Sequence, residues 1–263
     1  MTAPGNGPEN GPENDPENDQ AKGQEHTAAS AAAARIAAIS GLVFAVLFVV
    51  ALVLLHRAPK LADPDATYTA FYAGGGDQLF VAIGLYLVPF AGIAFLWHMT
   101  AIRNALDTLT PAPSTMAHGL NLLAGVIFVV LLFAGTAAVG AVAFGVYFGH
   151  TPAEDPAVAR GLTALGYGLV FIFAVRGAGM FALTTTTLLR TAKVLPKIPA
   201  VIAYLLAAFL LLAVTNNPVA FLVFPAWVVL ISVFLLRYAA APRSLPHRTP
   251  DPTRPTLGGA TPS

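Results

Sequence analysis

Six apolar runs, each close to the length of a bilayer crossing, constrain this chain more than anything else in it. They cover residues of about 36–55, 79–99, 120–148, 161–186, 198–214 and 219–237. A hydrocarbon core of roughly 30 Å is crossed by about 20 residues of helix. In lipid the backbone must satisfy its own hydrogen bonds, which a helix does within one segment. Only 10% of the residues are charged, against about a quarter in soluble domains. A water-facing surface needs that missing charge, and a lipid-facing surface does not. The predicted fold is therefore all-α: a polytopic transmembrane bundle of six helices over 28–241, with the lipid bilayer as its solvent. Disordered tails are predicted at 1–27 and 242–263.

The tails are assigned on composition. Gly7-Pro8-Glu9-Asn10 recurs as Gly11-Pro12-Glu13-Asn14 and Asp15-Pro16-Glu17-Asn18. Proline every fourth residue is incompatible with helix or strand interiors, and the segment offers no apolar surface to offset the entropy of ordering. The C-terminal tail carries six prolines and three arginines and reads the same way. The first apolar run, about 20 residues long, exceeds the roughly 7–15 of a signal-peptide core, so it is expected to stay as a helix. The fifth run is the shortest. It is joined to the sixth by Thr215-Asn216-Asn217-Pro218, a turn signal that predicts a tight hairpin.

Six crossings put both tails on one side. Ten of the fourteen Lys and Arg residues then share that side, among them Arg103, Arg190, Lys193 and Lys197 in short loops. Arg57, Lys60 and Arg160 face the other side, and Arg176 lies within a run. The positive-inside rule makes both termini cytoplasmic and the protein a multi-pass component of the cell membrane.

Chemistry is scarce. Without cysteine there are no disulfides, thiolate zinc sites, iron–sulfur clusters or cysteine nucleophiles. A net charge of +1 gives no field for nucleic acid. No catalytic, cofactor or metal set with recognisable spacing is present. Gly74-Gly75-Gly76 is followed by Asp77 rather than a Lys-Ser/Thr pair, so it is a flexible lead-in and not a phosphate loop. His98 and His118 lie near equal depth at the ends of the second and third runs, where interfacial placement is the simpler reading than haem ligation. His56 and His150 lie on the outer side near Asp63, Asp65, Asp77, Glu154 and Asp155.

Arg176 is the residue in conflict with its setting. It falls about fifteen residues into the fourth run, and a charge at that depth costs about 2.5–3.5 kcal/mol on insertion scales. No run contains an acid, so its partner must be something else. Pro89 cannot donate to the Leu85 carbonyl, which frees that oxygen in the second helix, and the Tyr86 hydroxyl lies close by in sequence. An anionic ligand or lipid headgroup would serve equally. Gly177 and Gly179 leave room for a neighbouring helix or a ligand to come close. Thr184, Thr187 and Arg190 continue one helical face toward the cytoplasm. Arg176, Tyr86, Thr184 and Thr187 are thus the candidate ligand-binding residues. The competing reading is a structural arginine and self-capping threonines.

The run from Val175-Arg176 through Thr184-Thr185-Thr186-Thr187 to Arg190, then Val194-Leu195-Pro196-Lys197-Ile198-Pro199, then Phe224-Pro225-Ala226-Trp227, resembles a group of bacterial, mostly actinobacterial, six-span integral membrane proteins of unknown function. The resemblance covers roughly 36–237. This chain has Pro196-Lys197-Ile198 where that group is expected to have Pro-Arg-Trp. The resemblance implies the helix count and the importance of Arg176, and no activity.

Three classes of function follow. A non-enzymatic binding, regulatory or scaffold component fits short loops and a single buried charge. A small transporter or channel for an anionic solute or lipid would use Arg176, but acids in spans and matched broken helices are missing. A lipid-modifying enzyme would need the outer histidines and acids to cluster.

Overall fold

The computed structural model describes residues 16–73, 76–109, 115–150, 155–212 and 218–241. Those residues are helical throughout their ordered elements, with no strand among them. In chain order they form α1 (Pro16–Leu55), α2 (Asp65–Tyr72), α3 (Gly76–Leu109), α4 (Thr115–Phe148), α5 (Pro156–Tyr167), α6 (Val175–Thr191), α7 (Lys197–Leu212) and α8 (Val223–Ala240). A π-helical turn, Gly168–Ala174, joins α5 to α6 without a break, and a 3-10 turn, Pro218–Leu222, leads into α8.

Five stretches are long and apolar enough to cross a membrane: Ala28–Leu55, Leu79–Asp107, Met116–Phe148, Pro156–Thr191 and Ala220–Ala240. The chain is thus an all-helical, multi-span membrane protein. The predicted fifth run becomes the shorter apolar helix α7. Its 16 residues reach about 24 Å at 1.5 Å per residue, less than the hydrocarbon thickness. The turn predicted at 215–218 lies almost wholly outside the described residues, as do Gly74 and Gly75, the segments 1–15 and 242–263, and Glu154.

The N-terminal reading needs one correction. Helix α1 starts at Pro16 and takes in residues 16–27, which were assigned to the tail. The third proline of the repeat opens the helix, where its missing N–H costs nothing and its fixed φ is helical. The alanine-rich stretch behind it has the highest helix propensity of any residue type. Helix α5 starts for a similar reason. Pro156 occupies its first turn, and the Asp155 carboxylate accepts the Ala157 N–H at 2.7 Å as an N-cap.

The core is a knot of aromatic rings at the crossing of α1, α3, α4, α6 and α8. Phe95 lies 5.2 Å from Phe44, 5.1 Å from Phe128 and 5.0 Å from Phe181, centroid to centroid. Phe224 sits 4.8 Å from Phe128 and stacks on Trp227. All six rings are buried. Tilted and edge-on pairs such as these add about 0.5–1.5 kcal/mol each beyond area burial. Lipid tails are as apolar as the side chains, so packing of this kind, and not exclusion from water, holds helices together in a bilayer. Helix α1 packs chiefly on α3 and on α8.

Close approach is set by glycine. A Cβ on Gly177 would lie 3.1 Å from the Phe128 nitrogen and 3.2 Å from the Ala124 carbonyl oxygen of α4. One on Gly179 would meet Leu211 and Leu210 of α7 at 2.9–3.1 Å. The room these residues leave is therefore filled by neighbouring helices.

At one end of the bundle the chain between α1 and α3 folds into a strap built on α2. Tyr68 and Tyr72, four residues apart and so on one face, are buried against Val142, Ala143 and Ala159. Arg160 of α5 ties the strap down. Its Nη2 donates to the Asp65 carboxylate at 2.7 Å and to the Asp63 carbonyl at 2.8 Å, and its guanidinium lies 4.9 Å from the Tyr68 ring centre. Tyr68 in turn donates to the Lys60 carbonyl at 3.1 Å. The opposite end, with Arg103, Arg190, Lys193 and Arg237, is the basic end.

Candidate functional site

Arg176 does not reach α3. Its Nη1 donates to the Phe171 carbonyl, five residues back on its own helix, at 3.2 Å. Phe171 lies in the π turn, whose i→i+5 pairing departs from the ordinary i→i+4 ladder. Helical side chains also lean toward the N-terminus, which carries the guanidinium back over that turn. Arg176 is half-buried. Tyr86 is 69% exposed on the outward face of α3, edge-on to Phe90 at 5.2 Å. Of the candidate partners for Arg176, neither the Leu85 carbonyl nor the Tyr86 hydroxyl bonds to it; the Phe171 carbonyl does.

The two threonines separate as well. Thr184 back-bonds to the Met180 carbonyl at 2.9 Å and accepts the Asn121 amide of α4 at 2.8 Å. Asn121 also reaches the Thr185 hydroxyl at 2.7 Å. Thr187 is exposed; it back-bonds to the Leu183 carbonyl at 2.9 Å and accepts the Tyr204 hydroxyl of α7 at 3.1 Å. Thr186 takes the Trp227 indole N–H of α8 at 3.3 Å. The four-threonine run is thus a polar seam between α6 and three neighbours, in which Thr184, Thr186 and Thr187 offer an acceptor while their own protons go to the helix. Asn121 was not singled out in the sequence, although an amide within an apolar run is itself a signal that it faces the bundle.

His98 is fully buried, which corrects its interfacial placement. Its Nδ1 lies 2.6 Å from the Ala37 carbonyl of α1. A carbonyl only accepts, so Nδ1 carries the proton and Nε2 is the acceptor. His98 Nε2 and the buried Ser232 hydroxyl make no hydrogen bond in the structure. His118 sits at the basic end, 3.7 Å from the Asp107 carboxylate. No group of three or more His, Cys, Asp or Glu that would hold a metal exists among the described residues.

A pocket lies at the strap end. Phe221, in the turn leading into α8, stacks on Phe48 of α1 at 6.1 Å and meets Phe171 at 4.2 Å. Helix α1 continues about seven residues, or roughly 10 Å, past that level. The space above the three rings is a pocket of about 340 Å³. Its floor is Phe48, Phe171 and Phe221; its walls are Leu52, Leu55, Val88, Leu132, Val139 and Val170; its rim is His56, Lys60, Leu61 and Tyr167. Thr136 lines it too, with its hydroxyl proton turned to the Leu132 carbonyl at 2.7 Å. Ala58 and Ala62 of the strap close over one side.

Comparison with known proteins finds no matching family model, no matching curated protein and no matching solved structure. What the fold and site define is a class: a polytopic helical membrane protein whose described residues hold no evident catalytic or metal-binding set.

Proposed function

We propose that the chain is a non-enzymatic binding component of a bacterial cytoplasmic membrane, and that it holds its ligand in the pocket beneath the α2 strap. One observation carries this reading. Among the described residues the bundle leaves a pocket of about 340 Å³ at the strap end, and the strap is held there by Arg160. That size falls at the lower end of small-molecule sites, about 300–1,000 Å³, which are likewise apolar with a few polar groups at fixed points. Six crossings with both termini cytoplasmic belong to the same proposal. Helix α7 is then the fifth crossing and α8 the sixth. Kinship with the bacterial six-span group, read from the 175–190 and 224–227 motifs, belongs to the proposal too.

The transport reading rested on Arg176 facing a cavity, and a guanidinium bonded to its own helix gives that reading no support. The lipid-modifying enzyme needed the outer histidines and acids together, and no such group forms among the described residues.

The test is mass spectrometry of molecules that co-purify with the wild type, with Thr136→Phe, which fills the pocket, and with Arg176→Leu. A defined species lost only from Thr136→Phe is the expected result. A species lost only from Arg176→Leu would move the site to the guanidinium and end this proposal.

A further inference from the structure

Resting on that reading of the pocket, we infer that its ligand is a single acyl chain carrying an anionic head, with the chain on the aromatic floor and the head beside Lys60 and His56. The body of the ligand follows from the lining. Below the rim every wall is aliphatic or aromatic, and the one hydroxyl there, on Thr136, is already committed to helix carbonyls. A polar body would be stripped of water with nothing to bond to.

Size limits it further. A cavity of about 150 Å³ takes up one benzene, so 340 Å³ holds roughly a dozen carbons. That is one chain of medium length, and a second chain has no room.

The head follows from charge. No acid lines the pocket. Of the two acids of the strap, Asp65 pairs with Arg160 at 2.7 Å and Asp63 accepts the Lys60 backbone N–H at 2.8 Å. The ionisable residues that line the rim are Lys60 and His56, with Tyr167 beside them. A carboxylate or phosphate gains from that set, an ammonium head is repelled, and an alcohol gains only a hydrogen bond. Depth agrees with this. The floor lies within the span, and the rim lies where α1 leaves it, so a chain lying in the pocket has its head at the membrane surface.

Two sources supply this chemistry: a free carboxylate amphiphile, or one chain of an anionic phospholipid entering from the bilayer. The experiment uses the full chain in phosphatidylcholine nanodiscs with isotope-labelled dodecanoate, dodecylamine and dodecanol as probes. Thr136→Phe and Leu52→Trp, which fill the pocket from α4 and α1, report uptake by the bilayer itself; the second covers failure of the first to fold. Saturable dodecanoate binding above that background, weakened about tenfold or more by Lys60→Glu, is the expected result. Competition by phosphatidylglycerol built into the disc identifies a bilayer lipid as the source, and its failure to compete identifies a free amphiphile. Equal binding of dodecylamine or dodecanol would overturn the anionic head and leave the pocket reading standing. Absence of saturable binding by all three probes would overturn the pocket reading itself.

Discussion

Two glycines five residues apart on α5 give a sharp test of how the bundle is packed. Gly161 has nothing within 4 Å of the place where a Cβ would sit. Replacing it by alanine changes only helix propensity and backbone entropy, a gain of about 1 kcal/mol. Gly166 faces α4, and its Cβ would fall on the Gly135 carbonyl oxygen and the Val139 side chain, with the Val139 nitrogen at 3.0 Å. Two of those three obstacles are backbone, which no rotamer change can clear. The contact is reciprocal, since a Cβ on Gly135 would lie 2.9 Å from the Gly166 carbonyl oxygen. Overpacking of a close-packed site costs about 1–3 kcal/mol, and more where the obstacle is rigid. Even with its share of the propensity gain, Gly166→Ala is destabilised by about 1–2 kcal/mol. The two variants therefore differ by about 2–3 kcal/mol, or roughly 5–10 °C in melting temperature for a chain of this size. Thermal unfolding in one detergent, wild type beside both variants, reads the difference. If Gly166→Ala melts with or above Gly161→Ala, α4 and α5 are not in backbone contact at this seam and the packing described is wrong.

Other outcomes are equally definite. Asn121→Leu loses two short bonds to Thr184 and Thr185, and at about 0.6 kcal/mol each in a membrane, with a ceiling near 1.7, it is expected to lower stability by about 1–2 kcal/mol; an unchanged melt would remove the polar seam from the account. Arg176→Met is expected to insert and fold at wild-type yield, because the guanidinium bonds only its own helix among the contacts found and its loss relieves a burial cost; collapse of folded yield would require a partner beyond Phe171. Burial pushes the Tyr72 hydroxyl up to about 12, with Tyr68 adding to the effect. The proton is then held more tightly in the folded strap than in the unfolded chain. Its contribution is fully present below pH 10 and is lost as pH rises through about 12, so tyrosinate absorbance should show Tyr72 titrating last, and loss of that lag in Arg160→Ala would show the strap has lifted. Tags at either end should be reached by membrane-impermeant label only after the cells are opened; labelling of one tag in intact cells contradicts the six-crossing topology.

The helical runs were legible because their cause is local. Length and apolarity are properties of each segment alone, and five of the six runs became full-length spans. The remaining run, the fifth, is the shortest in the sequence and becomes the shorter helix α7. Arg176 was legible as an anomaly but not as a contact, since the Phe171 carbonyl is offered by a π turn that no residue pattern in 168–174 announces. The strap left a trace in the spacing of Tyr68 and Tyr72, yet what fixes it is Arg160, 95 residues away in sequence from Asp65. The pocket left no trace at all. It exists because Phe221 meets α1 at Phe48 rather than nearer Leu55, and how far one helix reaches along another is decided by packing across the whole bundle.

The pairing of α1 with α8 has a consequence for how the protein is made. The ribosome delivers α1 first and α8 last, and chains fold in that order as they emerge. Until α8 is made one long flank of α1 faces lipid where α8 will lie, and Phe44 lacks Phe224, its neighbour at 5.8 Å. The rings at the crossing of five helices cannot close until α8, made after the other four, has left the tunnel. A chain stopped short of residue 218 would have its first helix in place and its centre open, a state that quality-control proteases are well suited to remove. Assembly of the aromatic centre is in this sense a ring closed by α8, and its arrival is tested by the same contacts that hold the finished bundle.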